Sequence, residues 1–219
     1  MRKPSKYEQY IKRPIETALS LIALIILSPV MLVTAILVRV NLGSPVIYKQ
    51  KRPGKDEKIF TLYKFRSMTN QRDDAGRALP DSMRLTKFGR LLRSTSLDEL
   101  PELVNIIKGD MSIVGPRPLA VKYLPYYNDR EIQRHAVRPG LTGLAQINGR
   151  NSIVWEDRFE FDIQYISKLS FLGDLRIIIN PIKVALGRKD VEAQTGANID
   201  FDVYRIKQLS HNHTTKREL

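Results

Sequence analysis

The chain has 219 residues, with 36 Lys and Arg against 23 Asp and Glu, giving a formal charge of +13 at neutral pH. That length buries one good core, so one compact domain with appendages is expected, and the basic excess draws polyanions: nucleic acid, anionic lipid headgroups or phosphorylated substrates. Cysteine is absent and the three histidines are His135, His211 and His213, two of them in the tail, which excludes disulfides and thiolate chemistry and argues against a His-based zinc site. A metal would sit on carboxylate oxygens, which favours a hard ion such as Mg2+.

Residues 2–13 are basic and polar, with Arg2, Lys3, Lys6, Lys12 and Arg13 offset only by Glu8. From Ala18 to Val38 the chain is apolar except for Ser20, Ser28, Pro29 and Thr34. At about 1.5 Å per residue the run is long enough for a hydrocarbon core of about 30 Å, and it is too long and uncharged for a signal-peptide core. A single spanning helix is the plain reading. Two features oppose it. Ser28-Pro29 lies mid-run, where proline removes a helical hydrogen bond and kinks the helix. Both flanks are basic, Lys12 and Arg13 before and Arg39, Lys49, Lys51 and Arg52 after, and positive charge prefers the cytoplasmic side. A helix broken at Ser28-Pro29 returns both ends to one face, provided the freed backbone groups are covered. On the residues alone both topologies stand.

Asn41-Leu42-Gly43-Ser44-Pro45 is a turn signal, Val46–Lys49 a short strand, Arg52-Pro53-Gly54 a second turn, and KIFTLYKFRSM over Lys58–Met68 a strand bearing Lys64 and Arg66. The plain reading of those two cations is a solvated face. Residues 70–83 read as a polar loop, and Leu85–Leu92 as a short amphipathic helix ending near Arg93. A further helix carries Leu100, Leu103, Val104 and Ile107 at i, i+3, i+4 and i+7, with Gly109 as its stop. Its start is open: Ser96 and Glu99 match a capping box, whereas Asp98 as N-cap leaves Pro101 at the third position, where a missing N–H costs nothing. Both starts put Asp98 and Glu99 in the first turn.

Tyr123–Arg138 is polar, with Tyr126, Tyr127 and His135, and leads into RPGLTGLAQINGRN, whose Gly140, Gly143 and Gly149 mark tight turns or close backbone approach. Trp155–Ser170 reads as a helix with Phe159, Ile163 and Ile166 on one stripe. Phe171–Leu186 reads as an amphipathic helix ringed by Lys168, Arg176, Lys183 and Arg188, lying either in a membrane surface or in the core. Beyond about residue 189 the pattern fades, and a loosely ordered tail is expected.

Adjacent helical residues point about 100° apart, so Asp98 and Glu99 cannot aim at one atom, but they can flank a site. A carboxylate can attack phosphorus and form an acyl phosphate, with cations on the phosphate oxygens and a helix N-terminus offering donors to the anion. The competing explanation is purely structural, with Asp98 capping the helix and Glu99 completing the box.

KFRSM, then LDELPELVNIIKGDMSIVGPRP, then VRPGLTGLAQINGRN, behind a hydrophobic segment interrupted by Ser28-Pro29, resemble the bacterial sugar transferase family, the small monotopic phosphoglycosyl transferases. The likeness runs from about residue 11 to residue 188. Within the family the chain looks most like the short enzymes typified by the undecaprenyl phosphate diacetylbacillosamine phosphate transferase; larger relatives carry extra membrane helices ahead of the catalytic domain, which this sequence does not show.

The resemblance implies an α/β fold, mostly helical with a few short strands. Residues 1–40 form the re-entrant membrane helix with its break at Ser28 and Pro29, residues 41–188 a cytosolic catalytic domain with amphipathic surface helices, and residues 189–219 a tail of unknown role. It implies transfer of a sugar-1-phosphate from a UDP-sugar to undecaprenyl phosphate with release of UMP, on the cytoplasmic face of the bacterial inner membrane, as the first membrane step of glycoconjugate synthesis. Asp98 matches the nucleophile that forms a phosphosugar-aspartate, and Glu99 the partner acid associated with Mg2+. Arg93 and Arg117 match positions suited to phosphate contacts, with Lys64, Arg66 and Arg138 as further candidates. Membrane lipid and downstream glycosyltransferases are the implied partners, and nucleic acid is not. Two alternatives remain in view: a single-span basic domain that binds anionic lipid or nucleic acid without catalysis, and an enzyme that transfers only the sugar and releases UDP.

Overall fold

The computed structural model of the protein describes residues 4–149, 153–186 and 199–215. A π-helical turn at Tyr7–Ile11 leads into α1 (Lys12–Leu42); β1 (Ile47–Pro53), β2 (Ile59–Phe65), α2 (Asp81–Arg84), α3 (Lys87–Ser94), α4 (Glu102–Lys108), β3 (Ser112–Val114), β4 (Gly140–Thr142), α5 (Leu144–Gly149), α6 (Trp155–Ser167), α7 (Phe171–Leu186) and α8 (Phe201–Thr215) follow. The expected mostly helical chain with a few short strands is what forms. The strands make two two-stranded sheets, β1 with β2 and β3 with β4. The chain folds as two compact units, one of Met1–Pro14, Arg52–Phe60 and Ser112–Leu219 and another of Ile15–Lys51 and Thr61–Met111.

The second of these units holds most of α1, which with the turn before it is the one helix among the described residues long and apolar enough to cross a membrane. At 31 residues α1 is roughly 46 Å long, and its apolar side chains are largely uncovered, Ile25 being 72% and Val40 76% exposed. So much exposed apolar surface calls for lipid as its solvent, so the protein is membrane-associated. The helix is unbroken in secondary structure through Ser28 and Pro29. Pro29 has no N–H for the Ile25 carbonyl, and the Ser28 hydroxyl donates to that carbonyl at 2.8 Å. The backbone group freed by proline is therefore covered from within the helix.

After Pro29 one face of α1 becomes core. Met31, Ala35, Val38 and Leu42, at helical spacing, pack in a cluster with Phe65, Phe88, Leu92, Leu97 and Leu100, and Val38 has no exposed surface. Gly43, at φ +80°, ends the helix in the left-handed region. Asn105 of α4 is fully buried, and its amide reads the backbone of β2: Nδ2 donates to the Thr61 carbonyl at 2.7 Å, and Oδ1 accepts from the Tyr63 N–H at 3.0 Å. One side chain thus satisfies two strand groups that would otherwise lack partners, and it sets β2 against α4.

In the other unit, Lys12 forms an ion pair with Asp174 of α7, and the Tyr7 hydroxyl donates to the same carboxylate at 2.8 Å. The Tyr165 hydroxyl lies 2.9 Å from both Asp174 Oδ1 and the Val114 carbonyl oxygen. This polar knot sits beside a core of Val114, Val137, Ile166, Leu169 and Ile177. α7 accordingly has two faces: Asp174 and Ile177 are buried, whereas Phe171, Leu172, Leu175 and Ile179 are exposed.

β3 and β4 run parallel, Ser112 opposite Gly140 and Val114 opposite Thr142. Their following segments touch backbone to backbone. A Cβ on Gly140 would fall 2.1 Å from the Gly115 nitrogen, and one on Gly143 would fall 2.3 Å from the Gly115 oxygen. Gly140 and Gly143 are there for close approach, one of the two readings the sequence offers, and Gly115 of VGPRP is the backbone they meet.

The loosely ordered tail is corrected over residues 199–215, where α8 forms. Phe201 is fully buried among Tyr123, Tyr127, Trp155 and Phe159, with ring centroids 4.9–5.6 Å away. The Trp155 indole donates to the Ile199 carbonyl at 3.0 Å, and Lys122 bridges Asp200 and Asp202. Two aromatics in a polar stretch, Phe201 and Tyr204, make no periodic pattern, yet Phe201 is the anchor. Arg188 and residues 189–198 lie outside the described residues.

Candidate active site

The acids do not lie in the first turn of α4. Ser96 adopts φ +57°, and Leu97–Glu99 then form a separate 3-10 turn, with Glu99 N–H donating to Ser96 O at 3.1 Å and Leu100 N–H to Leu97 O at 3.3 Å. α4 begins only at Glu102, with Pro101 as its N-cap residue and no side chain capping it. Both expected starts are corrected: the Ser96–Glu99 box does not form, and Asp98 is not the cap. Pro101 accounts for the first of these: it has no N–H to give the Leu97 carbonyl, which a helix starting at Ser96 would need, and the chain keeps i→i+3 bonding as far as Val104 N–H to Pro101 O at 3.1 Å. A non-glycine residue at positive φ costs about 1 kcal/mol or more, and here that strain is stored two residues before Asp98.

Asp98 is 7% exposed, and Glu99 is half-buried beside it. Lys64 projects from β2 to place its ammonium 2.7 Å from Glu99 Oε1 and 3.0 Å from Glu102 Oε1. Arg93, at the end of α3, is exposed and donates from Nε to Ser67 Oγ at 3.0 Å. Its terminal nitrogens make no hydrogen bond among the described residues, so the fork remains open to an anion.

Arg66 is differently employed. Its guanidinium is buried and donates to the carbonyls of Leu42 and Ser44, the latter at 2.7 Å, closing the C-terminus of α1. Burial, and then the nearby Arg39 charge, lower its pKa.

Arg117 and Arg138 belong to the unit of β3 and β4. Arg117 is exposed, and its carbonyl accepts from Arg134 Nη2 at 2.8 Å. Arg134 is buried in an ion pair with Asp162 at 2.7 Å, each side chain 2% exposed, and also donates to the Tyr127 hydroxyl at 3.2 Å. This pair braces the segment that carries Arg117. Arg138 directly precedes the glycine contact between the two motif segments, where a Cβ on Gly115 would meet its carbonyl oxygen at 2.4 Å. Next to Arg134, burial and then the Arg134 charge lower the His135 pKa to about 4, so this imidazole is neutral at physiological pH.

Sequence reasoning missed Glu102, Asn105, Arg134 and Asp162. Glu102 and Asn105 sit one turn apart on a helix whose apolar stripe drew attention to other positions, and the Arg134–Asp162 pair spans 28 residues. No local signal marks either.

Among the described residues no three Asp, Glu or His side chains are placed to share one ion. Mg2+ characteristically takes one or two protein carboxylates and completes its shell with water and substrate phosphate oxygens, and the hard oxygen donors of Asp98 and Glu99 fit that habit.

A family model described as bacterial sugar transferase matches residues 7–188, which contain every site residue above. The chain belongs to the bacterial sugar transferase family. It is 49% identical over 182 residues to the "Uncharacterized sugar transferase EpsL" of Bacillus subtilis (strain 168), an alignment covering 83% of this chain and 90% of that protein. It is 44% identical to the "UDP-glucose:undecaprenyl-phosphate glucose-1-phosphate transferase" of Klebsiella pneumoniae, over 76% of this chain and 38% of that one. To the "Galactosyl transferase CpsE" of Streptococcus agalactiae serotype III it is 41% identical, over 66% of this chain and 35% of the relative. This sugar transferase thus spans nearly all of one relative and little more than a third of the other two.

Proposed function

We propose that this sugar transferase moves a sugar-1-phosphate from a UDP-sugar to undecaprenyl phosphate and releases UMP. The acid turn carries the reading: α4 has no side-chain cap, so helix capping does not account for Asp98 and Glu99. A relative at 44% identity is named for a reaction of this class. In the first step an Asp98 carboxylate oxygen attacks the phosphorus that bears the sugar; that O–P bond forms as the bond to the UMP oxygen breaks, leaving a phosphosugar-aspartate. In the second, a phosphate oxygen of undecaprenyl phosphate attacks the same phosphorus, and Asp98 departs as a carboxylate. The product is a diphosphate-linked sugar, the first membrane intermediate of a glycoconjugate or polysaccharide, which downstream glycosyltransferases would extend.

Glu99 is the partner acid, for a metal ion or for the proton of the lipid phosphate. Mg2+, when bound, supplies positive charge to the phosphate oxygens. Arg93 and Lys64 are the acid-bearing unit's own cations for that purpose. Arg66 is left out, since its guanidinium closes α1. The test is Asp98→Asn assayed with UDP-sugars and undecaprenyl phosphate: transfer should vanish while thermal unfolding stays unchanged. Full activity would end the nucleophile assignment, and release of UDP in place of UMP would end the phosphosugar claim. A UMP-release screen across UDP-sugars identifies the donor.

The membrane topology belongs to the same reading. Basic residues at both ends of α1, Pro29 at mid-helix and the Ser28 hydroxyl on the Ile25 carbonyl favour a re-entrant helix with both ends on the cytoplasmic face. Such an anchor would hold the acids at the height of a polyprenyl phosphate headgroup. With no native cysteine to interfere, Ser5→Cys and Gln50→Cys can be labelled from either side of the membrane. Labelling of position 5 from outside alone would make α1 a simple span.

A further inference from the structure

Glu102 has no task in the chemistry just proposed, yet it is placed with care. It is the first residue of α4, its side chain is 4% exposed, and its Oε1 lies 3.0 Å from the Lys64 ammonium. The same ammonium is 2.7 Å from Glu99 Oε1, so one lysine is shared by two carboxylates. Nothing about this is loose. Lys64 rises from β2, Glu102 from α4, and Asn105 locks those two elements together through the backbone of Thr61 and Tyr63. The Lys64 side chain is only 20% exposed, so its charge is poorly served by water alone.

The sharing has a consequence for any cation that comes to Glu99. A divalent ion on that carboxylate repels the ammonium and takes its place. Were Glu99 the sole partner of Lys64, the displaced charge would be left half-buried and unpaired, which is costly. With Glu102 present, Lys64 moves off Glu99 and keeps a carboxylate. Before the exchange the three side chains carry one net negative charge; after it, Lys64 and Glu102 form a neutral pair. We propose that Glu102 is a positioning residue that holds Lys64 while Glu99 takes up a divalent cation, so that the protein exchanges an internal cation for the metal. This rests on the assignment of Glu99 to the metal given above.

The experiment measures Mn2+ binding, with Mn2+ standing for Mg2+, through the free-ion electron paramagnetic resonance signal. It uses the purified full chain in detergent micelles without substrate, so it does not depend on turnover. Wild type should bind Mn2+, and Glu99→Gln should lose that binding. If wild type takes up no Mn2+, or Glu99→Gln binds as wild type does, the metal assignment itself falls. Where that assignment stands, Lys64→Met should bind about tenfold more tightly, the worth of one charge-assisted hydrogen bond no longer to be broken. Glu102→Gln should bind about tenfold more weakly by the same measure. The double variant should bind as Lys64→Met does, because Glu102 acts on the metal site through Lys64. A Glu102→Gln effect that persists undiminished without Lys64 makes Glu102 a charge acting through space and overturns the inference. Lys64→Met binding no tighter than wild type also overturns it, and that comparison alone decides the matter if circular dichroism shows Glu102→Gln to be unfolded.

Discussion

Asn105→Ala is the sharpest test of how the acid-bearing unit is held together. The wild-type amide is fully buried and closes two backbone bonds of β2, to the Thr61 carbonyl at 2.7 Å and from the Tyr63 N–H at 3.0 Å, with a longer contact of 3.2 Å to Asp110. Alanine leaves both strand groups without a partner in a site that water reaches poorly, at about 1–2 kcal/mol each, so the loss should be about 2–4 kcal/mol. Asn105→Asp is the informative companion. It keeps an acceptor for Tyr63 but loses the donor to Thr61, and it sets a carboxylate against that of Asp110, so it should cost at least as much as alanine. Equilibrium urea unfolding in detergent micelles measures both: the midpoint should fall while the slope is unchanged. A loss under about 1 kcal/mol for alanine, or an aspartate variant milder than alanine, would refute the claim that this amide joins β2 to α4. Activity gives an independent readout, since slack between those elements separates Lys64 from Glu99 and should lower kcat even in protein that remains folded.

Three further outcomes follow from other parts of the chain. Arg66→Ala should lower stability by about 2–3 kcal/mol and Arg66→Lys by about half of that, because one ammonium cannot serve the Leu42 and Ser44 carbonyls as the guanidinium fork does; unchanged melting in both would return Arg66 to the phosphate-binding set. His135 has a folded pKa of about 4 against an ordinary 6.5, so below pH 6.5 the unfolded chain binds the extra proton. Stability should therefore be fully present above pH 6.5 and fall by about 3 kcal/mol as the pH drops to 4, and His135→Gln should flatten that limb of the curve, measured as urea midpoint against pH. Phe201→Ala empties the aromatic cage and should cost about 3–5 kcal/mol, with limited proteolysis cutting first within residues 199–215; a wild-type digestion pattern would mean that α8 is anchored by its ion pairs alone.

The parts of this protein legible in the sequence are those whose physics is local. The apolar run of α1, the aromatic and branched strand of β2, the stripe of α6 and the two-faced pattern of α7 each repeat at the period of their element, and each forms near where it was expected. The glycines of RPGLTG were readable as tight turns or points of close approach because the absence of a side chain is itself the signal; that Gly115 of VGPRP is what they approach was not. The acids were visible as a pair, and the long motifs around them identified the family.

What the sequence by itself determined, then, is which elements form, that one of them seeks lipid, and that Asp98 and Glu99 are adjacent. Tertiary structure decided what those residues are for. It moved the acids out of α4 onto a turn of their own, the missing N–H of Pro101 ruling out a continuous helix from Ser96. Arg66 became a helix cap and Lys64 a partner of Glu99, although the two cations stand only two residues apart. Glu102 and Asn105 entered the site, and Phe201 turned part of a featureless tail into a docked helix. Each of these rests on a contact between residues distant in sequence or on a backbone group that had to find a partner, and neither leaves a period to be read along the chain.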